Sequence, residues 1–412
     1  MNRNRLLTAF LGIILAASLL AGCAGSPAAS AVPSETPAPA QGATATDNYP
    51  FESNSASPTA SAAGGDTASQ TYPAQTPTQA SGAFVVIDAL GRSVSFETLP
   101  LNIVVVGKAT TLINNTLFLF PEAVERVSAY EARLQTKLDF ITVAFDPTGA
   151  KSSLARDAGA EQVAPLNPDL VIMKTYMREK VGQPIEALGI PVVYLDLETP
   201  VTFYEDLRVI GAIFGNPARA EELISLYQAN QTRIQTALEG LKADELPSAL
   251  ILQYSDKDGE VAFKVPPASW LQTSMTETAG GSPLWKEIPD SGGWTTVTLE
   301  QIAAWDPQFV FIVEYGGSAP QVVEALQADP TWQSLRAVKD GHLYAFPLDF
   351  LSWDQADPRW GLGELWLAAK MHPERFAELD FNNEIIAFYR DYYGLDEAFI
   401  RESILPLVQG SF

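Results

Sequence analysis

Lys108 and Lys174 stand just past two short apolar runs, Ile103-Val104-Val105-Val106 and Leu170-Val171-Ile172-Met173, and Tyr176 and Arg178 follow Lys174 closely. Tyr254 and Tyr315 hold the same position after Leu250-Ile251-Leu252 and after the run from Phe309 to Val313. Trp353, Arg359 and Trp360 precede a helical stretch from Leu362 to Met371. Side chains at the carboxyl ends of buried parallel strands collect around a crevice. Cations gathered there suit charge-assisted hydrogen bonds to an anionic or carboxylate-bearing ligand, and aromatic rings would cover its apolar face. A tyrosine oxygen from Tyr176, Tyr254 or Tyr315 could also reach heme iron. The chemistry expected of Lys108, Lys174, Tyr176, Tyr254, Tyr315, Arg359 and Trp360 is therefore binding, and no catalytic or metal-ligating set is assigned. Trp270, Trp294 and Trp305 are expected in core or rim packing.

Other chemistries find less support. One cysteine and two histidines leave no zinc cluster, thioredoxin pair or disulfide framework. His342 and His372 fall in expected surface turns, so bare-metal carriage is disfavoured. No P-loop, G-x-S-x-G or paired-histidine motif occurs. Carboxylate pairs keep no fixed spacing, and the chain has eight tryptophans and many acids. A cell-surface carbohydrate-active enzyme or binding module is thus the alternative from another class.

The elements that must position these residues alternate. Continuous β-branched runs separated by helical stretches imply parallel sheets covered on both faces, after a hairpin at Phe84 to Phe96 turning at Ala89-Leu90-Gly91-Arg92. A long helix is expected from Pro217 to Lys242, with Ala220, Leu223, Ile224, Tyr227, Ile234, Leu238 and Leu241 on one face. The segment from Glu161 to Ile172 (EQVAPLNPDLVI) returns 139 residues later as Glu300 to Phe311 (EQIAAWDPQFVF). Such a repeat implies two lobes of similar construction, one on each side of the long helix. In each copy a glutamate starts a short helix, where the helix dipole favours an exposed carboxylate.

The amino-terminal end reads as targeting sequence. Arg3 and Arg5 precede a short apolar run, Leu6 to Ala21, that ends in Leu20-Ala21-Gly22-Cys23. This matches a bacterial lipoprotein box, with residues 1–22 removed and Cys23 carrying lipid. From Ala24 to Gly82 there is no Leu, Ile, Met, Lys or Arg, so this stretch reads as a disordered tether with an end-to-end distance on the order of 45 Å. The net charge of −23 repels phosphate and argues against nucleic acid binding. The expected domains are the signal at 1–22, the lipidated Cys23 and tether at 23–82, an N-terminal lobe at 83–216, the interlobe helix at 217–242 and a C-terminal lobe at 243–412.

The opening Ile87-Asp88-Ala89-Leu90-Gly91-Arg92-Ser93-Val94, the two Glu-to-Pro repeats, the central helix and the ending Leu335 to Pro347 (LRAVKDGHLYAFP) resemble the iron-complex and cobalamin class of substrate-binding proteins of ABC importers. The resemblance covers nearly everything after the tether. It implies an α/β fold of two Rossmann-like lobes joined by one long rigid helix, with the ligand cleft between them. A monomer without a resident cofactor or enzymatic activity is expected, and the lipoprotein box places it lipid-anchored outside the cytoplasm. This protein would capture a siderophore, heme or corrinoid and hand it to a permease, with an oxyanion such as molybdate or tungstate as the alternative cargo. In that family a glutamate on the rim of each lobe docks on arginines of the permease, and the matching positions here are Glu161 and Glu300.

Overall fold

Ile103-Val104-Val105 buries every side chain, as a strand covered on both faces does. The computed structural model describes residues 82–412. The expected signal, Cys23 and the tether up to residue 81 lie outside the described residues. A hairpin opens the described chain, β1 (Phe84–Ile87) pairing with β2 (Ser93–Phe96), and Phe84 stacks on Phe96 at 5.1 Å.

The first lobe is built on β3 (Ile103–Val105), β4 (Val127–Glu131), β5 (Ser152–Leu154), β6 (Leu170–Lys174) and β7 (Val192–Leu195). These run parallel in the order β5-β4-β3-β6-β7. The second lobe holds β8 (Ser248–Lys257), β9 (Glu260–Val265), β10 (Ser282–Pro283), β11 (Thr295–Val297), β12 (Phe309–Val313) and β13 (Leu343–Ala345). Its order is β11-β9-β8-β12-β13, with β10 beside the start of β8.

This second sheet is mixed, not all parallel as expected. Asp258 and Gly259 both take positive φ, 55° and 87°, the backbone of a two-residue hairpin turn. They fold β9 antiparallel onto β8 with Lys257 opposite Glu260. The Asp-Gly pair is the local signal for that turn.

The long helix runs Pro217–Ala237 and stops short of Lys242, because Leu238 leaves helical geometry and Gly240 turns at φ +81°. At about 1.5 Å per residue its 21 residues span roughly 32 Å. It packs against the helix Pro200–Phe214, and a Cβ added at Gly211 would lie 2.8 Å from that of Ala220, so the two backbones approach closely there. One apolar core runs through both sheets and this helix, taking in Ile172, Leu223, Tyr227, Leu250 and Phe311. The helix Phe381–Tyr393 returns to the first lobe, where Tyr393 meets Phe140 at 4.8 Å and donates to Asn115 O.

The two copies of the repeat share their backbone. A short helix, Ala160–Val163 or Leu299–Trp305, leads to Asn167 at φ 48° or Asp306 at φ 45°, and then into β6 or β12. Asn and Asp tolerate the left-handed region better than other non-glycine residues, which explains why one of them fills this position in each copy.

Candidate functional site

Residues of both lobes line a cavity of about 60 Å3: Ala109, Leu112 and Glu198 from the first, Trp270, Leu271, Gln272, Trp294 and Tyr315 from the second, with Gln355 and Ala356 between them. Trp270 meets Trp294 edge to face at 6.0 Å and 86°, and Trp294 meets Tyr315 at 6.3 Å and 70°. The rings thus stand as nearly perpendicular walls. The Tyr315 hydroxyl donates to Asp354 at 3.0 Å, and the same carboxylate accepts from Gln272 at 3.1 Å and Ser352 at 2.6 Å. Burial pushes the Asp354 carboxyl up, while its three donors oppose the shift.

Glu198 follows β7, and its carboxylate pairs with Lys174 at 2.5 Å. Lys174 is fully enclosed and also donates to Asp196 O. The turn that carries Glu198 is held by Asp206, whose Oδ2 accepts from the backbone N–H of Asp196 and Leu197, each at 2.8 Å. Leu197 sits at φ 61°, a costly conformation for a bulky residue. Burial raises the Asp206 carboxyl to about 8 against the lowering effect of its two backbone donors and Lys174.

The expected ligand residues disperse. Tyr315 lines the cavity. Lys174 lies behind Glu198, buried instead of facing ligand, because the turn after β7 folds a carboxylate and a carbonyl over its ammonium. Lys108 is half-buried beside Gly107 and outside the lining. Its turn is fixed by Gly107, whose N–H donates to Glu131 Oε2 at 2.9 Å and whose carbonyl accepts from Arg133 Nε at 2.9 Å. Gly107 has φ +98° with Met177 only 3.1 Å from where a Cβ would stand, so a side chain fits poorly. Tyr176 packs on the apolar cluster of the first sheet's other face.

Tyr254 faces away, lining a groove of about 310 Å3 with Phe263, Leu326 and Trp332 on the second lobe. The β8–β9 hairpin puts it beside Phe263, at 5.8 Å. Trp360 is a core residue stacked on Tyr227 of the long helix at 4.8 Å and 8°.

Arg359 is also internal, at 0% exposure. Its guanidinium meets Asp349 at 2.7 Å and Asp357 at 2.8 Å, donates to the Tyr389 hydroxyl at 3.0 Å and lies 4.8 Å from the Phe140 ring centre. Burial alone would lower its pKa, but Asp349 and Asp357 outweigh burial and keep it charged. The loop around it also ties the lobes together: Asn115 donates to Asp357 at 2.5 Å, and Gln135 and Gln355 exchange two amide hydrogen bonds.

His372, expected at the surface, is buried with its ring against Gly280 O at 3.1 Å. Glu161 and Glu300 are exposed at their helix starts, and a backbone N–H and the Thr298 hydroxyl hold the Glu300 carboxyl below its usual range.

Glu198, Trp270 and Trp294 were missed as cleft residues. Glu198 follows the strand run Val192-Val193-Tyr194, so the rule that led to Lys108 and Lys174 reaches it when applied to that run. Trp270 caps the helix Leu271–Thr278 and Trp294 directly precedes β11, neither at the carboxyl end of an apolar run, so the strand-end rule carries no sign of them.

A family described as periplasmic binding protein matches residues 123–349. The molybdate-binding protein of Haemophilus influenzae is 23% identical over 327 residues, covering 74% of this chain and 87% of that protein. The iron-uptake system-binding protein of Bacillus subtilis is 23% identical over 217 residues, covering 52% of this chain and 64% of that protein. Among solved structures, a periplasmic solute binding protein from Veillonella parvula superposes with a TM-score of 0.62 at 23% identity, over 77% of this chain and 96% of that one.

Proposed function

This chain belongs to the periplasmic binding protein family, and from that premise we propose that it is the extracytoplasmic substrate-binding component of an ABC importer whose cargo is an iron complex or corrinoid. The observation that carries this reading is the cavity walled by both lobes, whose surface is mainly aromatic and apolar with few polar groups. Such a lining suits a bulky ligand with extensive apolar surface. At about 60 Å3 the cavity seats one part of such a ligand.

Two observations favour an oxyanion as the second reading: the small volume and the molybdate-binding relative. Against it, no Lys or Arg belongs to the lining among the described residues. Purification from the native host, followed by absorption spectroscopy and native mass spectrometry, separates the two. A coloured ligand at one equivalent, recovered chemically unchanged, is expected. A colourless protein carrying the mass of an oxyanion contradicts the first reading, and a chemically altered ligand contradicts a pure binding role.

Delivery and anchoring complete the proposal. Glu161 and Glu300, exposed on equivalent helices of the two lobes, would dock on permease arginines, where a pair of charges gives orientation as well as attraction. Glu161→Lys with Glu300→Lys should abolish uptake in whole cells while binding in solution persists. Uptake at the parental rate refutes that role. Cys23 would carry the lipid, so Cys23→Ser should lose lipid labelling without loss of ligand affinity.

A further inference from the structure

Among the residues lining the interlobe cavity the charged side chain is a carboxylate, Glu198. The cations expected there are turned to other uses, Lys174 buried behind Glu198 and Arg359 enclosed by Asp349 and Asp357. Glu198 is 25% exposed, and beyond its pair with Lys174 it accepts no hydrogen bond among the described residues.

The aromatic walls have the same polarity. A ring face carries the negative side of a quadrupole, and the rings of Trp270, Trp294 and Tyr315, which line the cavity, stand at 86° and 70° to one another. Tyr315 donates its phenolic proton to the buried Asp354, which leaves its ring richer in electrons. At longer range the net charge of −23 draws cations toward the molecule and repels anions.

We propose that the group seated in this cavity is cationic, an ammonium or guanidinium end of the ligand held among Trp270, Trp294 and Tyr315 with Glu198 as counter-charge. This rests on the reading of the interlobe cavity as the ligand site and names the chemistry of that ligand. The volume of about 60 Å3 suits such a head group, with the bulk of the cargo lying toward the cavity mouth. It also reverses the anionic ligand that the sequence suggests from Lys108, Lys174 and Arg359.

The test uses the full chain and two matched pairs of probes. The first pair is a ferric trihydroxamate complex with a free ammonium group and the same complex with that amine acetylated. The second is benzyltrimethylammonium and its uncharged carbon isostere. Titrations followed by tryptophan fluorescence should show each charged member binding about tenfold tighter than its partner. Glu198→Gln should bring the two members of each pair close together. Because that change leaves Lys174 buried without its carboxylate, Trp270→Leu serves as a second variant that spares the ion pair, and it too should narrow the ratio.

Equal affinity of charged and uncharged members overturns the inference and leaves the importer reading standing. Failure of both ferric complexes to bind, with benzyltrimethylammonium still preferred over its isostere in a Glu198-dependent way, supports the cationic site and counts against an iron-complex cargo.

Discussion

Around Arg359 a guanidinium is enclosed by two carboxylates, a tyrosine hydroxyl and the Phe140 ring, at 0% exposure. Around Glu198 a carboxylate backed by one buried lysine sits at the edge of an open cavity with three aromatic walls. Both places pair opposite charges among rings, yet the first is wholly enclosed and the second leaves its carboxylate 25% exposed at a cavity. The enclosed cluster lies in the loop that ties the lobes together, whereas the pair of Glu198 with Lys174 keeps one side of its carboxylate toward the cavity.

The largest effect expected from breaking this contrast is on folding. Arg359→Met leaves Asp349 and Asp357 buried without their cation, and removing one partner of such a cluster costs about 3 to 5 kcal/mol. Urea denaturation should show a loss of that size. Arg359→Lys should recover only part of it, since one ammonium cannot serve two carboxylates in the geometry of a planar fork. Unchanged stability of the Met variant would mean that the cluster is dispensable.

On the other side of the comparison, Trp294→Leu removes a cavity wall that is only partly buried against the core. It should weaken ligand binding by up to about tenfold, the equivalent of roughly 0.5 to 1.5 kcal/mol for an aromatic contact. The same variant should keep its urea midpoint close to that of the parent. A large stability loss would place Trp294 with the core and not with the site.

A pH-dependent effect, read as a slope, bears on the turn that carries Glu198. The folded Asp206 carboxyl holds its proton up to about 8, far above an ordinary aspartate. Between roughly pH 4 and pH 8 the folded state therefore binds a proton that the unfolded chain has released, so stability falls as pH rises through this window and levels off above it. Asp206→Asn keeps an acceptor for the Asp196 and Leu197 N–H groups and removes the titration. Its urea stability should lose this contribution to the slope, on the order of 1 kcal/mol per pH unit. An unchanged slope would show that Asp206 is ionised in the folded protein.

The scaffold was more legible than the site, for physical reasons. Short uninterrupted runs such as Leu170 to Met173, bounded by turn residues, read as buried strands, and the Asn167 and Asp306 turns of the repeat carry a backbone requirement visible in the residue type. The antiparallel hairpin was equally written in Asp258-Gly259. The ligand surface was not, because a cation near a strand end reads the same whether it faces solvent or a buried carboxylate. For Lys174 the deciding partner lies 24 positions on, at Glu198, and for Arg359 the carboxylates of Asp349 and Asp357 become partners only when the loop folds inward. Trp270 and Trp294 lie outside the reach of the strand-end rule.

Ligand is expected to bind between the lobes, yet the molecule also offers a larger groove of about 310 Å3 around Tyr254. The most direct measurement is calorimetric titration of the copurified ligand against the parent, Trp294→Leu and Tyr254→Leu. One site per chain is expected, weakened by Trp294→Leu and unaffected by Tyr254→Leu. Weakening by Tyr254→Leu with Trp294→Leu at the parental affinity would contradict it and move the site to the second lobe's outer groove.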